Sequence, residues 1–110
     1  MANKTKRIAA LIQRNISDII LFEIKNPLMK LVSVNYVDVS GDDYARVYVT
    51  HLEKEKAKEA VETLNRLKGV IRSSLSKKLD IYRTPDLVFI LDDTYDKGAH
   101  IEELIKKINN

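Results

Sequence analysis

One apolar stripe constrains this chain more than any other feature. Ala57, Ala60, Val61, Leu64, Leu67, Ile71, Leu75 and Leu79 recur at three- and four-residue steps, the period of a helix that buries one face. Gly69 interrupts the stripe, and glycine in a helix interior costs about 1 kcal/mol against alanine. Three explanations fit such a residue: a kink that leaves the backbone open to close approach, tight helix packing, or a glycine that is merely tolerated. The stretch from about residue 54 to 79 is therefore expected as helix, broken near position 69.

Ile8, Leu11, Ile12, Ile16, Ile19, Ile20 and Ile24 outline a first amphipathic helix, with Thr5 as its expected N-cap. Lys25-Asn26-Pro27 ends it, because the residue before a proline is pushed out of helical geometry. Residues 31–39 and 44–52 are rich in Val and Tyr, and Ser40-Gly41-Asp42-Asp43 between them supplies turn chemistry, which predicts a hairpin. In its second strand Ala45, Val47 and Val49 alternate with Tyr44, Arg46, Tyr48 and Thr50, so the first set is expected inward. The outward Tyr and Arg row suits either cross-strand pairing or stacking on bases. A third strand, 87–91, follows Pro85, and Asp92-Asp93-Thr94 ends it. Ile101, Leu104, Ile105 and Ile108 outline a short closing helix after Gly98. The expected architecture is α+β in the order α-β-β-α-(kink)-α-β, a three-stranded sheet with helices packed on one face.

At 110 residues and 45% hydrophobic content, the whole of 1–110 is expected to form a single domain. The absence of cysteine excludes disulfides and thiolate metal sites, and no secretory leader pattern is apparent, so a cytoplasmic protein is expected. The longest apolar run, 87–91, is far below the ~18 residues that a membrane span requires.

Charge placement says more than the net value of +3. Residues 1–31 carry +4 and 54–83 carry +5, whereas 32–53 and 84–110 carry −3 each. The excess lies on the two stretches read as helical, which is either an ordinary solvated face or the footprint of a polyanion. Lys4, Lys6, Arg7 and Arg14 crowd the start of the first helix, where they oppose the helix dipole and give local stability no help.

Enzymatic constellations find little support. His51 and His100 lie at no metal-ligand spacing, and Asp92, Asp93 and Asp96 lack the glycine and distal Glu of a calcium loop. Ser73, Ser74 and Ser76 sit in a helical stretch without a nucleophile elbow, and glycines at 41, 69 and 98 compose no phosphate-binding loop. Neither catalysis, a metal nor a cofactor is expected. What remains is Gly69 with Arg66, Lys68, Arg72, Lys77, Lys78 and Arg83 around it. A bend there would expose backbone amides at the start of a new helical segment, which are natural phosphate donors, and Arg72 would add a bidentate contact. KH domains clamp a nucleotide backbone in a comparable way with a GXXG loop.

From about Arg7 to Ile108 the chain resembles the bacterial ribosome-binding factor A family, ribosome-assembly proteins with a type II KH-like fold. The residues that carry the resemblance are Ile24-Lys25-Asn26-Pro27, Ala45-Arg46-Val47-Tyr48-Val49-Thr50, Gly69-Val70-Ile71-Arg72 with Leu75, Arg83-Thr84-Pro85-Asp86-Leu87-Val88-Phe89, Asp92-Asp93-Thr94, and Gly98 to Ile101. In that family an Ala-x-Gly kink replaces the GXXG loop; Leu67-Lys68-Gly69 stands there in this chain, with Leu in place of Ala. Asn26 stands where Asp commonly precedes the proline, and the sequence stops at Asn110 without the tail of longer members. The resemblance implies binding to the small (30S) ribosomal subunit or its precursor and to 16S rRNA. It further implies support of late maturation, including 16S 5′-end processing by other factors, and no catalysis.

The expected RNA-binding residues are Lys4, Lys6, Arg7, Arg14, Arg46, Arg66, Lys68, Gly69, Arg72, Lys77, Lys78 and Arg83. By family resemblance Gly69 is the kink and Arg72 the motif arginine; the flanking cations are phosphate contacts on charge alone. A monomer is expected, with an assembly GTPase as a possible further partner. The alternative is a protein-interaction module that docks on ribosomal proteins or on such a GTPase.

Overall fold

A computed structural model describes residues 2–39, 44–79 and 83–93, with side chains from Lys6 onward. Helix α1 spans Ala2–Asp18 and continues as one π-helical turn, Ile19–Glu23. It starts four residues earlier than a Thr5 cap would have it, so Thr5 lies within the helix instead of capping it. The π turn has a packing consequence. The Ile24 amide bonds the Ile19 carbonyl at 3.2 Å, and the wider turn keeps Ile19 and Ile20 buried while Leu21 and Phe22 are turned outward. Asn26 then adopts an extended backbone before Pro27, and its Oδ1 accepts from the Leu28 amide at 3.0 Å, which starts a 3₁₀ turn, Pro27–Leu31.

Strands β1 (Val32–Asp38) and β2 (Tyr44–His51) pair antiparallel, and β3 (Asp86–Leu91) pairs parallel to β2, giving the order β1-β2-β3. The hairpin turn 40–43, Tyr82, and everything from Thr94 on, including His100, Asp96 and the closing helix, lie outside the described residues. Between Val34 and Tyr36 the register shifts, leaving Asn35 unpaired. A one-residue bulge reverses which parity of the strand faces the core: Val32 and Val34 point inward before it and Val37 after it.

A 3₁₀ turn, Lys54–Lys56, leads into α2 (Ala57–Arg66), and α3 (Lys68–Lys78) follows. The expected helical stripe is the observed core: Ala60, Leu64, Ile71 and Leu75 are buried against Ile12, Ile16 and Ile19 of α1 and Ala45, Val47, Val49, Leu87 and Phe89 of the sheet. All three helices thus cover one sheet face, and Tyr44, Arg46 and Tyr48 occupy the open one. Asn65 fastens α2 to the outer edge of β3. Its Nδ2 donates to the Phe89 carbonyl and its Oδ1 accepts from the Phe89 amide, both at 2.9 Å, so one side chain stands in for a neighbouring strand.

Candidate nucleic-acid interface

The break between α2 and α3 falls at Leu67, the first residue of the expected Leu67-Lys68-Gly69 kink and two residues before the glycine itself. Leu67 takes φ −95° and ψ 5°, ending α2 and starting α3, and its amide is shared between the Thr63 and Leu64 carbonyls at 3.1 Å each. The cause is side-chain packing: Leu67 is half-buried against the core, so leucine is accommodated at the bend and anchors it. Gly69 belongs to the first turn of α3, and a Cβ built on it meets nothing within 4 Å. Tight helix packing is therefore not what its lack of a side chain serves. What the bend does produce is a helix start facing solvent. Lys68, Gly69 and Val70 are all exposed, and no backbone bond carries their amides across to α2. Such a helix start attracts anions through its amides and its dipole.

The twelve residues expected to bind RNA separate into three groups. Lys6, Arg7, Arg14, Lys68 and Lys77 are exposed, and among the described residues none of them enters a salt bridge. Lys4 lies in α1, its side chain outside the described residues. A second group holds the fold together. The Arg72 Nη2 donates to the Thr84 carbonyl at 2.8 Å, and its Nε lies 3.2 Å from Asp86 Oδ1, an ion pair without hydrogen-bond alignment. Arg72 thus anchors the segment that leads into β3, and with only one guanidinium nitrogen hydrogen-bonded it keeps donors to spare. Lys78 pairs with Glu23 Oε2 at 3.1 Å, and the Ser74 hydroxyl donates to Glu23 Oε1 at 2.5 Å. Ser74 first, then Lys78, holds the Glu23 carboxyl below its ordinary value of 4.5. The Arg66 Nη2 donates to Thr63 Oγ1 at 3.2 Å, and Arg83 is exposed beside the Thr84 anchor. Arg46 lies on the open sheet face, opposite Asp38 in the register. It cannot share one contact surface with the outer side of the helices.

Geometry also divides the exposed cations. Arg7 lies sixteen residues before Glu23, about 24 Å along the helix at 1.5 Å per residue, while Lys78 touches Glu23. The cluster at the start of α1 and the end of α3 are separate patches. On the open sheet face Tyr36 and Tyr48 stack tilted, with centroids 5.7 Å apart, so cross-strand pairing engages part of the aromatic row. His51 is buried with both ring nitrogens on backbone groups: Nδ1 accepts from the Glu53 amide at 2.9 Å, and Nε2 donates to the Leu28 carbonyl at 3.0 Å. Asp92 Oδ2 accepts from the Asn35 side chain at 3.1 Å.

Sequence reasoning missed the anchors Glu23, Asp86 and Asn65. Asn65 and Phe89 are 24 residues apart and Ser74 and Glu23 are 51, and no local periodicity links such pairs.

The fold recurs in solved structures. A Thermotoga maritima solution structure described as a putative ribosome binding factor A superposes with a TM-score of 0.71 at 33% identity, over 84% of this chain and 90% of that one. A Thermus thermophilus ribosome binding factor A homology model, fitted into a cryo-EM map of a 30S complex, gives 0.63 at 25% identity, over 77% and 91%. Ribosome-binding factor A of Halothermothrix orenii is 39% identical over 107 residues, 96% of this chain and 88% of that protein. With the family profile described as ribosome-binding factor A matching residues 4–105, nearly the whole chain and both sides of the Leu67 bend, this chain belongs to the ribosome-binding factor A family.

Proposed function

We propose that this protein binds the small ribosomal subunit or its precursor through 16S rRNA and supports late maturation, including 5′-end processing carried out by other factors. It acts by binding, as a monomer in the cytoplasm, and performs no reaction of its own. The observation that carries this reading is the bend at Leu67, which presents the amides of Lys68 to Val70 and the Lys68 side chain to solvent together. Family membership supports the ribosome as partner, as does the relative fitted into a 30S complex. The phosphate-facing set is Lys68, Gly69 and Lys77 on α3, with Lys6, Arg7 and Arg14 on α1 as a second contact. Arg72 positions the strand entry and contributes through the donors its anchor leaves over.

Salt dependence measures this directly. If the five exposed cations each neutralise a phosphate, log K falls against log salt with a slope of about −3.5 to −4.5. Lys68→Glu with Lys77→Glu lowers affinity for naked 16S fragments and makes the slope shallower by at least about 1.4. Arg72 is left intact in this test because its loss would disturb Thr84 and Asp86 as well. A module that docks on ribosomal proteins or an assembly GTPase predicts the opposite: no measurable affinity for naked RNA, and unchanged binding of the double variant to whole subunits.

A further inference from the structure

The π turn at the end of α1 leaves an aromatic ring in water. Phe22 is 73% exposed and its neighbour Leu21 52%, whereas Phe89, the other phenylalanine, is buried in the core. The backbone under the ring is held on both sides. The Ile24 amide bonds the Ile19 carbonyl at 3.2 Å, and Glu23, next in the chain, accepts from the Ser74 hydroxyl and pairs with the Lys78 ammonium at 3.1 Å.

Through Glu23 the ring is tied to the basic end of α3. Val70, Ser74 and Lys78 stand four residues apart on that helix, about 6 Å per step, so one stripe runs from the amides at the start of α3 past Glu23 to its last turn. Lys25 and Lys77 are exposed near this end of the stripe, and among the described residues neither enters a salt bridge. Lys78 offsets Glu23, and with Asp18 one turn back on α1 the surroundings of the ring keep a positive balance.

We propose that Phe22 stacks on one unpaired base of bound RNA while Lys25 and Lys77 hold the phosphates beside it. Charge decides the kind of partner. The centre of a protein–protein contact is depleted in charged residues, lysine among them, whereas an aromatic ring among cations is the pattern of single-strand binding, in which each base brings a π face and each phosphate a charge. Phenylalanine has no hydrogen-bonding group, so the contact reads no sequence. A duplex, whose bases are already stacked on one another, offers it nothing. The proposal rests on the RNA reading above and adds to it a single-stranded stretch beside the end of α3.

Because the chain has no tryptophan, Phe22→Trp installs a single reporter ring. Saturation with a short oligoadenylate quenches its emission, and Tyr44→Trp on the open sheet face keeps its own. Phe22→Ala binds the oligoadenylate at least about fivefold more weakly than the parent chain, the loss expected for one stacked base, with the salt slope preserved because no cation is removed. Its affinity for a blunt RNA duplex is unchanged, and Phe22→Leu binds the oligoadenylate no better than Phe22→Ala, since an aliphatic side chain does not stack. An unquenched Trp at position 22 with RNA bound, or Phe22→Leu binding as the parent does, overturns the proposal. So does a Phe22→Ala chain that loses whole subunits but not naked RNA, which points to a ribosomal protein against the ring. Those three results leave the RNA reading standing, whereas a parent chain with no affinity for either RNA removes both.

Discussion

Gly69→Ala separates the demands of the fold from those of RNA. A Cβ at this position meets no atom within 4 Å, and the residue lies in the first turn of α3 with helical geometry, so alanine fits without rearrangement. Its effect on folding therefore comes from the unfolded chain, which loses freedom that glycine had. The expected gain is about 0.4–1 kcal/mol, the range for Gly→Ala at compatible sites. For a domain of this size that raises Tm by about 2–8 °C, and urea denaturation reads it as a higher midpoint at unchanged m. Binding moves the other way. A methyl group placed where a phosphate oxygen approaches the amides of the first turn weakens affinity for 16S fragments by about tenfold, or 1.4 kcal/mol, with the salt slope preserved because no cation is lost. A destabilised variant would refute the claim that position 69 is unstrained. A stabilised variant with undiminished affinity would refute the backbone contact at α3 and shift attention to the α1 cluster.

Two further substitutions test how the helices are held. Asn65→Ala strips the Phe89 amide and carbonyl of their partners at the outer edge of β3, at a cost of about 1–3 kcal/mol, measured by chemical denaturation; Asn65→Asp keeps the acceptor and loses the donor to the Phe89 carbonyl, and should fall between. The Glu23 carboxyl has its folded-state pKa lowered by Ser74 and Lys78, so its contribution is present above the unfolded value and is lost as pH falls through the folded one. Carboxyl NMR titration should place Glu23 below 4.5, Ser74→Ala should return it toward that value, and Glu23→Gln should flatten the acid limb of the Tm profile; a Glu23 that titrates at 4.5 in the parent chain removes the tie.

The sequence announced what repeats and hid what crosses. The stripe of Ala60, Leu64, Ile71 and Leu75 was visible because a helix writes its buried face at a fixed period, and the alternation of Ala45, Val47 and Val49 was visible for the same reason in a strand. The bend was legible as well, near Gly69 by propensity and within Leu67-Lys68-Gly69 by resemblance; what propensity could not give is that the turning residue is Leu67, whose side chain packs against the core. The bulge at Asn35 left no mark either: it is a mismatch between two strands, and only the pairing of Val34 with Val49 and Tyr36 with Tyr48 reveals it. The π turn escaped for a related reason, since an unbroken Ile-Ile-Leu-Phe run reads equally well at α spacing.

Charge was the least legible quantity, and the reason bears on function. A cation counts toward a polyanion partner only if the fold leaves it uncommitted, and commitment depends on residues distant in sequence. Arg72 looked like the strongest phosphate ligand, yet Thr84 and Asp86 hold it, and Lys78 belongs to Glu23. These pairs are exposed, with side chains 40–60% accessible, so solvent screening leaves each of them weak. A phosphate arriving at α3 can therefore compete for Lys78 at small cost, and doing so frees Glu23 to repel it. Arg72 is harder to recruit, because leaving Thr84 strands a carbonyl beside the entry to β3. The proposed phosphate contact therefore predicts an order of engagement: Lys68 and Lys77 first, Lys78 by exchange, and Arg72 through whatever donors its anchor leaves over.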